Sequence, residues 1–275
     1  MIPAELRAAL AIARVEVRIA LRYPLNAVNE VLQPLYQFLI PSLLLGAAFV
    51  VGGRSIGLEQ SAGTGDLAGY LFLGVFVTGL TGAAFWGTAF SFKREMDAGT
   101  LEASYLTPTL PETLVIGRAI SSFGVAIVAG VILIGIGALV FGAGTALAVV
   151  GSLPMLAIAM VGLVGVGFVV ASVVLRVKES NFVVDAGDFL FAVLSGVAFP
   201  VLVFPEPLRV VAMALPTTHA LDLMRVDALA STPLLPAPAA WLALGGLSLA
   251  WLVMGRWTFR RTDHVLRIRG SIGEH

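Results

Sequence analysis

Apolar residues fall into long unbroken blocks, and the charged residues are confined to the segments between them. Runs free of Asp, Glu, Lys and Arg cover 31–53, 67–92, 119–175, 189–205 and 228–255. Each charged residue at mid-depth in a bilayer costs about 2.5–3.5 kcal/mol, so these runs are the segments able to cross one. A crossing helix takes roughly 20 residues. The third run, 57 residues long, therefore predicts two crossings, turned at Phe141-Gly142-Ala143-Gly144-Thr145. The fourth has 17 residues and is interrupted by Pro200, and the last follows Pro233, Pro236 and Pro238. The pattern predicts one all-α membrane domain over 1–275, with six spans near 31–52, 67–92, 115–141, 146–175, 186–204 and 239–257. A β-barrel is excluded, because the runs are solidly apolar and do not alternate.

Three further segments are not simple spans. At 100° per residue, Leu6, Leu10, Val17 and Leu21 share one face of a helix over 4–22. Arg7, Arg14, Arg18 and Arg22 form an adjacent basic stripe suited to anionic headgroups. This segment reads as an interfacial helix, the alternative being a helix packed on a neighbour. In the stretch 93–108, Thr100 can cap a short helix over 101–106 that Pro108 stops. Thr109-Leu110-Pro111-Glu112 then has capping-box spacing for the next helix. This region (97–108) reads either as a rigid lever for a docked partner or as an ordinary charged loop. In 195–225, Pro200, Pro205, Pro207 and Pro216 cut the chain into pieces too short to cross but apolar enough to enter a membrane. Re-entrant helices over 205–229 are expected, against a plain loop.

Composition agrees with lipid as the main solvent: 58% hydrophobic, 12% charged, mean hydropathy +0.96, where soluble domains carry roughly 25% charged residues. The 17 basic and 17 acidic residues cancel, so nothing favours nucleic acid. Cysteine is absent, which removes disulfides and thiolate chemistry and leaves the redox compartment unassigned. Lys93, Arg94, Arg118, Arg176 and Lys178, together with the N- and C-terminal arginines, lie on one side of the six spans. Only Arg54, Arg209 and Arg225 lie on the other. Both termini are therefore expected to be cytoplasmic, in a multi-pass protein of the cytoplasmic membrane. The first apolar run starts too late and is too long for a signal-peptide core.

Several chemistries lack their residues. Lys93 and Lys178 are the only lysines and neither follows glycine, so no phosphate-binding Gly-Lys-Ser/Thr exists. His219, His264 and His275 have no metal spacing, and no Gly-x-Ser-x-Gly elbow occurs. His219 beside Asp222 reads as a structural polar pair rather than a catalytic one. The charge-free spans offer no ionisable relay of the kind coupled carriers use. Gly74, Gly79, Gly82, Gly87, Gly162, Gly165 and Gly167 permit close helix approach, within one chain or across a dimer.

Two motifs carry a resemblance. Arg94-Glu95 through Gly99-Thr100-Leu101-Glu102 to Leu106-Thr107-Pro108 is similar to the R-E…G-T-L-E…L…T-P stretch of ABC-2 type exporter membrane subunits. Ser195-Gly196 through Pro200 and Pro205 to Pro216-Thr217-Thr218-His219, Asp222 and Arg225 resembles that family's stretch after its fifth span. The resemblance covers nearly the whole chain and departs at Ala103-Ser104-Tyr105, more polar than the usual continuation.

The resemblance implies two six-span subunits, identical or paralogous, each docked on a separate ATPase that binds ATP and magnesium. Glu95, Gly99, Thr100, Leu101, Glu102, Leu106, Thr107 and Pro108 would lie in or beside the coupling helix. Ser195, Gly196, Pro200, Pro216, Thr217, His219, Asp222 and Arg225 would lie in the outer re-entrant region. This chain would be no enzyme and hold no cofactor or metal. It would meet membrane lipids and export a drug, lipid or lipid-linked glycan through an apolar cavity lined by the first, second and fifth spans. Aromatics that occur in the spans (Tyr36, Phe38, Phe72, Phe76, Phe85, Trp86) leave only a slight preference for such cargo over a bare sugar polymer. The alternatives are an ATP-independent carrier, a membrane-embedded enzyme, or a scaffold subunit in an asymmetric pair.

Overall fold

A computed structural model of the chain describes residues 4–22, 24–107, 109–141, 143–177 and 180–269. Helix α1 (Ala4–Arg22) leads to α2 (Pro24–Pro34), a π-helical turn (Leu35–Leu39) and α3 (Ile40–Ala47). Pro34 and Pro41 bracket that turn. Proline donates no hydrogen bond and crowds the carbonyl one turn back, so the ladder slips and Ile40 N–H bonds Leu35 O. A two-residue hairpin follows, β1 (Val50–Val51) against β2 (Arg54–Ser55), turned at Gly52 and Gly53. Then come α4 (Ile56–Ala62) and α5 (Leu67–Gly82), whose N-terminus is capped by Asp66 accepting Gly69 N–H at 2.9 Å.

The remaining elements are helical. A second π segment (Ala83–Ala89) joins α5 to α6 (Phe90–Asp97), and α7 (Leu101–Tyr105), α8 (Pro111–Phe141), α9 (Ala143–Gly151) and α10 (Leu153–Val174) follow. After these come α11 (Ser180–Leu194), a 3-10 turn (Val201–Val203), α12 (Glu206–Met213), α13 (Pro216–Leu229) and α14 (Ala237–Arg269).

Four helices among the described residues are long and apolar enough to cross a membrane: Leu67–Asp97, Pro111–Val140, Leu153–Val174 and Ala237–Ile268. The first and fifth expected spans are shorter helices. The apolar part of the first is Leu32–Ala47, which gives way to the hairpin. The fifth does not occupy 186–204: α11 starts at Ser180 and stops at Leu194, where Gly196 turns the chain at φ +82°. The third-to-fourth connection also differs from a single turn at 141–145, of which Gly142 lies outside the described residues. Helix α9 intervenes, and α10 restarts at Leu153 with Pro154 in its first turn. Glu112 does not close a capping box either. Its carboxylate is occupied by Arg256, at 2.6 Å, and by Arg260.

Helices α5 and α10 form the centre. Of their apolar windows 67% and 61% is buried, against 22% in α8 and 17% in α14. The latter two turn Leu139, Val131, Leu242 and Val253 outward, an apolar surface suited to lipid. The closest crossing is between α10 and α14. A Cβ on Gly165 would run into the Trp251 carbonyl, and one on Gly255 into the Gly165 carbonyl. A Cβ on Gly162 would likewise come within 2.7 Å of Pro216 Cγ and 3.1 Å of Ser248 Cα. These glycines are used within the chain, where lipid offers no hydrophobic drive and only close packing joins helices.

Gly79 and Gly82, by contrast, have nothing within 4 Å of a built Cβ. Gly165→Val is expected to lose about 3 kcal/mol or more, because backbone cannot yield as a side chain does. Gly79→Ala should change stability by less than about 1 kcal/mol. Thermal unfolding of the two variants in detergent checks the contrast.

Candidate functional site

A cavity of about 470 Å³ lies between α2, α5, α8 and α10. Its walls are largely apolar, with Val75, Phe76 and Leu80 from α5 and Leu156 and Met160 from α10. Polar groups interrupt them: Gln33 and Gln37 from the first apolar run, Thr78, and Ser121 and Ser122 from α8. Four charged residues reach it: Glu16, Arg94, Arg118 and Asp188. The expected apolar cavity of the first, second and fifth spans is thus corrected. The second, third and fourth spans supply most of the wall, the first supplies Gln33, Pro34 and Gln37, α11 supplies Asp188, and the lining is charged in places.

Asp188 is the residue that counting charge-free runs missed. Helix α11 starts nine residues before the fourth charge-free run does, which brings Asp185 and Asp188 inside it. Asp188 stands near Thr81 and Trp86, and its Oδ1 is buried without a partner among the described residues. The signal available in sequence was the three-residue spacing of Asp185 and Asp188 just ahead of an apolar run.

The basic end of the bundle holds the 93–107 stretch. Gly99, at φ +65°, closes α6 in a left-handed cap: its N–H bonds Met96 O at 3.0 Å, and Thr100 N–H bonds Glu95 O at 2.9 Å. The chain is thereby reversed into α7. Leu101 is buried, whereas Leu106 is 87% exposed. Thr107 Oγ1 donates to Ser104 O at 2.7 Å. Pro108 lies outside the described residues, as does the side chain of Glu102. The expected helix over 101–106 ends at Tyr105. Burial, reinforced by Asp263, pushes the Tyr105 phenol well above its ordinary pKa, and Arg267 stands 5.4 Å over its ring.

Glu95 forms an ion pair with Arg118 of α8, whose side chain is 2% exposed and stacks 4.1 Å over Phe92. Helix α1 packs along α8, with Ala9 and Ala13 buried and Glu5 accepting from Thr113 Oγ1. Its Leu6, Leu10 and Val17 remain exposed beside the exposed Arg7, Arg14, Arg18 and Arg22.

At the opposite end, the 195–225 residues form a single polar clamp. Ser195 Oγ bonds Phe191 O at 2.7 Å and meets Thr217 Oγ1 at 2.5 Å. Pro200 starts the 3-10 turn, and Pro216 opens α13 and fills the notch at Gly162. His219 Nε2 meets Met213 O at 2.9 Å, while Asp222 accepts Leu234 N–H at 3.1 Å. Both residues therefore serve the backbone. Arg225, 5% exposed, donates to Gly196 O at 2.8 Å, Val197 O at 2.9 Å and Tyr70 O at 3.1 Å, over the Tyr70 ring. No group of three or more possible metal ligands occurs among the described residues.

The family model described as ABC-2 type transporter matches residues 7–228, from α1 through most of α13. Comparison with curated proteins gives no match.

Arg225 closes three carbonyls at once, and a single ammonium lacks the planar fork needed to do so. Arg225→Lys is expected to lose about 3 kcal/mol and to loosen the 195–201 turn. Thermal unfolding and protease sensitivity at that turn are the measurements.

Proposed function

The chain belongs to the ABC-2 type transporter family and is an integral membrane transport subunit, not a catalytic one; on that premise we propose that it is the permease of an ATP-driven exporter. Its cargo is hydrophobic or amphiphilic: a drug, a lipid or a lipid-linked glycan. The chain carries no Gly-Lys-Ser/Thr, so ATP and magnesium belong to a separate ATPase subunit. A second copy or a paralogue completes the pair in the cytoplasmic membrane.

The observation that carries this reading is the α7 turn. It is rooted in α6 and α8 through Gly99 and the Glu95–Arg118 pair, and it projects an exposed Leu106. Leu106 and Leu110, both exposed at a charged end, offer an apolar contact to a protein partner. Glu95, Gly99, Thr100, Leu101, Glu102, Leu106, Thr107 and Pro108 form the coupling region. On this reading the six spans cross the membrane with both termini cytoplasmic, as the asymmetry of arginine and lysine supports. The helices α12 and α13, with the Ser195–Arg225 clamp, then lie on the outer side. Helix α1 lies in the interface, an assignment its exposed leucines and arginines support.

One observation favours a second reading, an ion-coupled carrier without an ATPase: Asp188 sits inside a helix of the bundle, where ionisable residues often serve as relays. Co-expression with an ATPase subunit separates the two. The permease is expected to co-purify with it and to stimulate its ATP hydrolysis when cargo is present.

Gly99→Val places a branched side chain at positive φ, costing about 1–2 kcal/mol, and Leu106→Asp puts a charge on the docking turn. Each should leave expression intact and lower cargo-stimulated hydrolysis at least about tenfold. Unchanged stimulation in both variants would remove α7 from the coupling role.

A further inference from the structure

We propose that the cavity between α2, α5, α8 and α10 binds a lipophilic cation, with the Asp188 carboxylate as counter-ion and the Trp86 ring as its aromatic face. This rests on the permease reading and names the charge class of the cargo. Three observations converge on the same spot.

The first is the carboxylate itself. Asp188 reaches the cavity with Oδ1 buried and without a hydrogen-bond partner among the described residues. A carboxylate withdrawn from water stays ionised only against a compensating charge and otherwise takes up a proton, and one inside a bundle marks a ligand or ion path. The other charges in the cavity do not supply it. Arg118 is engaged by Glu95, and Arg94 lies on the order of 20 Å further along the helix than Thr81, which stands near Asp188. Asp185, one turn earlier on α11, adds a second negative charge.

The second is the π segment Ala83–Ala89 facing it. Each extra residue in a turn rotates everything beyond it by about 100° relative to an α-helix, and such bulges cluster at functional sites. Here the segment carries Trp86 to the cavity beside Asp188, its ring 5.0 Å from Phe90. Tryptophan is the best side-chain face for a cation.

The third is room. Gly79 and Gly82 border the cavity with nothing within 4 Å of a built Cβ. The volume of about 470 Å³ falls in the range of roughly 300–1,000 Å³ used for compact organic ligands. Carboxylate, indole and apolar wall together select a greasy body bearing a delocalised positive charge. A neutral body would leave Asp188 uncompensated, and an anion would be repelled by it.

The test uses the purified full chain in nanodiscs of zwitterionic phosphatidylcholine, with no ATPase present. Tetraphenylphosphonium and tetraphenylborate have nearly the same shape and opposite charge, and equilibrium dialysis measures the binding of each beyond its uptake by empty nanodiscs of the same lipid. The wild type is expected to bind the phosphonium and not the borate. Asp188→Asn should weaken phosphonium binding at least about tenfold, the loss of one charged contact, and Asp188→Glu should restore most of it. Gly79→Phe, which fills the open side, should abolish binding, and it carries the test should Asp188→Asn fail to fold.

Absence of phosphonium binding, equal binding of the borate, or unchanged binding in Asp188→Asn would overturn the proposal. Failure of ATPase coupling alongside Asp188-dependent phosphonium binding would instead sink the permease reading and leave this site standing.

Discussion

The ion pair between Arg118 and Glu95 is the contact on which the basic end of the molecule is organised. A guanidinium exposed by only 2% is tolerable only with a carboxylate against it, because removing one partner leaves a buried charge at a cost of about 3–5 kcal/mol. The pair therefore fixes the end of α6 to the start of α8. Beneath it Phe92 packs on Phe259, with ring centroids 5.9 Å apart, and Phe259 on Phe168 at 5.5 Å, so α14 and α10 join the same block. Arg118 also borders the cavity. On the proposed reading, a push on α7 is carried through rigid contacts to the cavity wall.

The far end is built by a different device. Arg225 has no carboxylate partner among the described residues and spends its donors on the carbonyls of Gly196, Val197 and Tyr70. It closes the irregular backbone after α11 onto α5, which matters because unpaired carbonyls are costly away from water. Between the two fixed ends, α10 and α14 meet backbone to backbone at Gly165 and Gly255, leaving little freedom there. Gly79 and Gly82 face open space instead. Glycine thus appears in two opposite uses, to let helices touch and to leave a cavity unfilled.

Much of this was legible from charge placement and local chemistry. A run without charges longer than 20 residues has few alternatives to an apolar helix, which is why each of the four long helices takes its apolar part from one of the charge-free runs. Gly99 after α6 and Pro111 at the start of α8 are local signals of helix ends. What remained hidden depended on contacts distant in sequence. Glu112 had capping-box spacing, yet Arg256 and Arg260, more than 140 residues away, take its carboxylate. The expected fifth span of 186–204 sits too far along the chain, because the left-handed Gly196 ends α11 at Leu194 and its start at Ser180 brings Asp185 inside the helix with Asp188. The two π segments have no sequence rule beyond their neighbouring prolines, and the one holding Trp86 has none at all.

Reconstitution in sealed liposomes tests the central claim most directly. The purified chain is inserted with and without its ATPase subunit, and cargo flux is followed on adding ATP. Flux that requires both the ATPase and ATP is the expected result. Cargo accumulation by the chain alone, driven by an ion gradient with no nucleotide present, would contradict it.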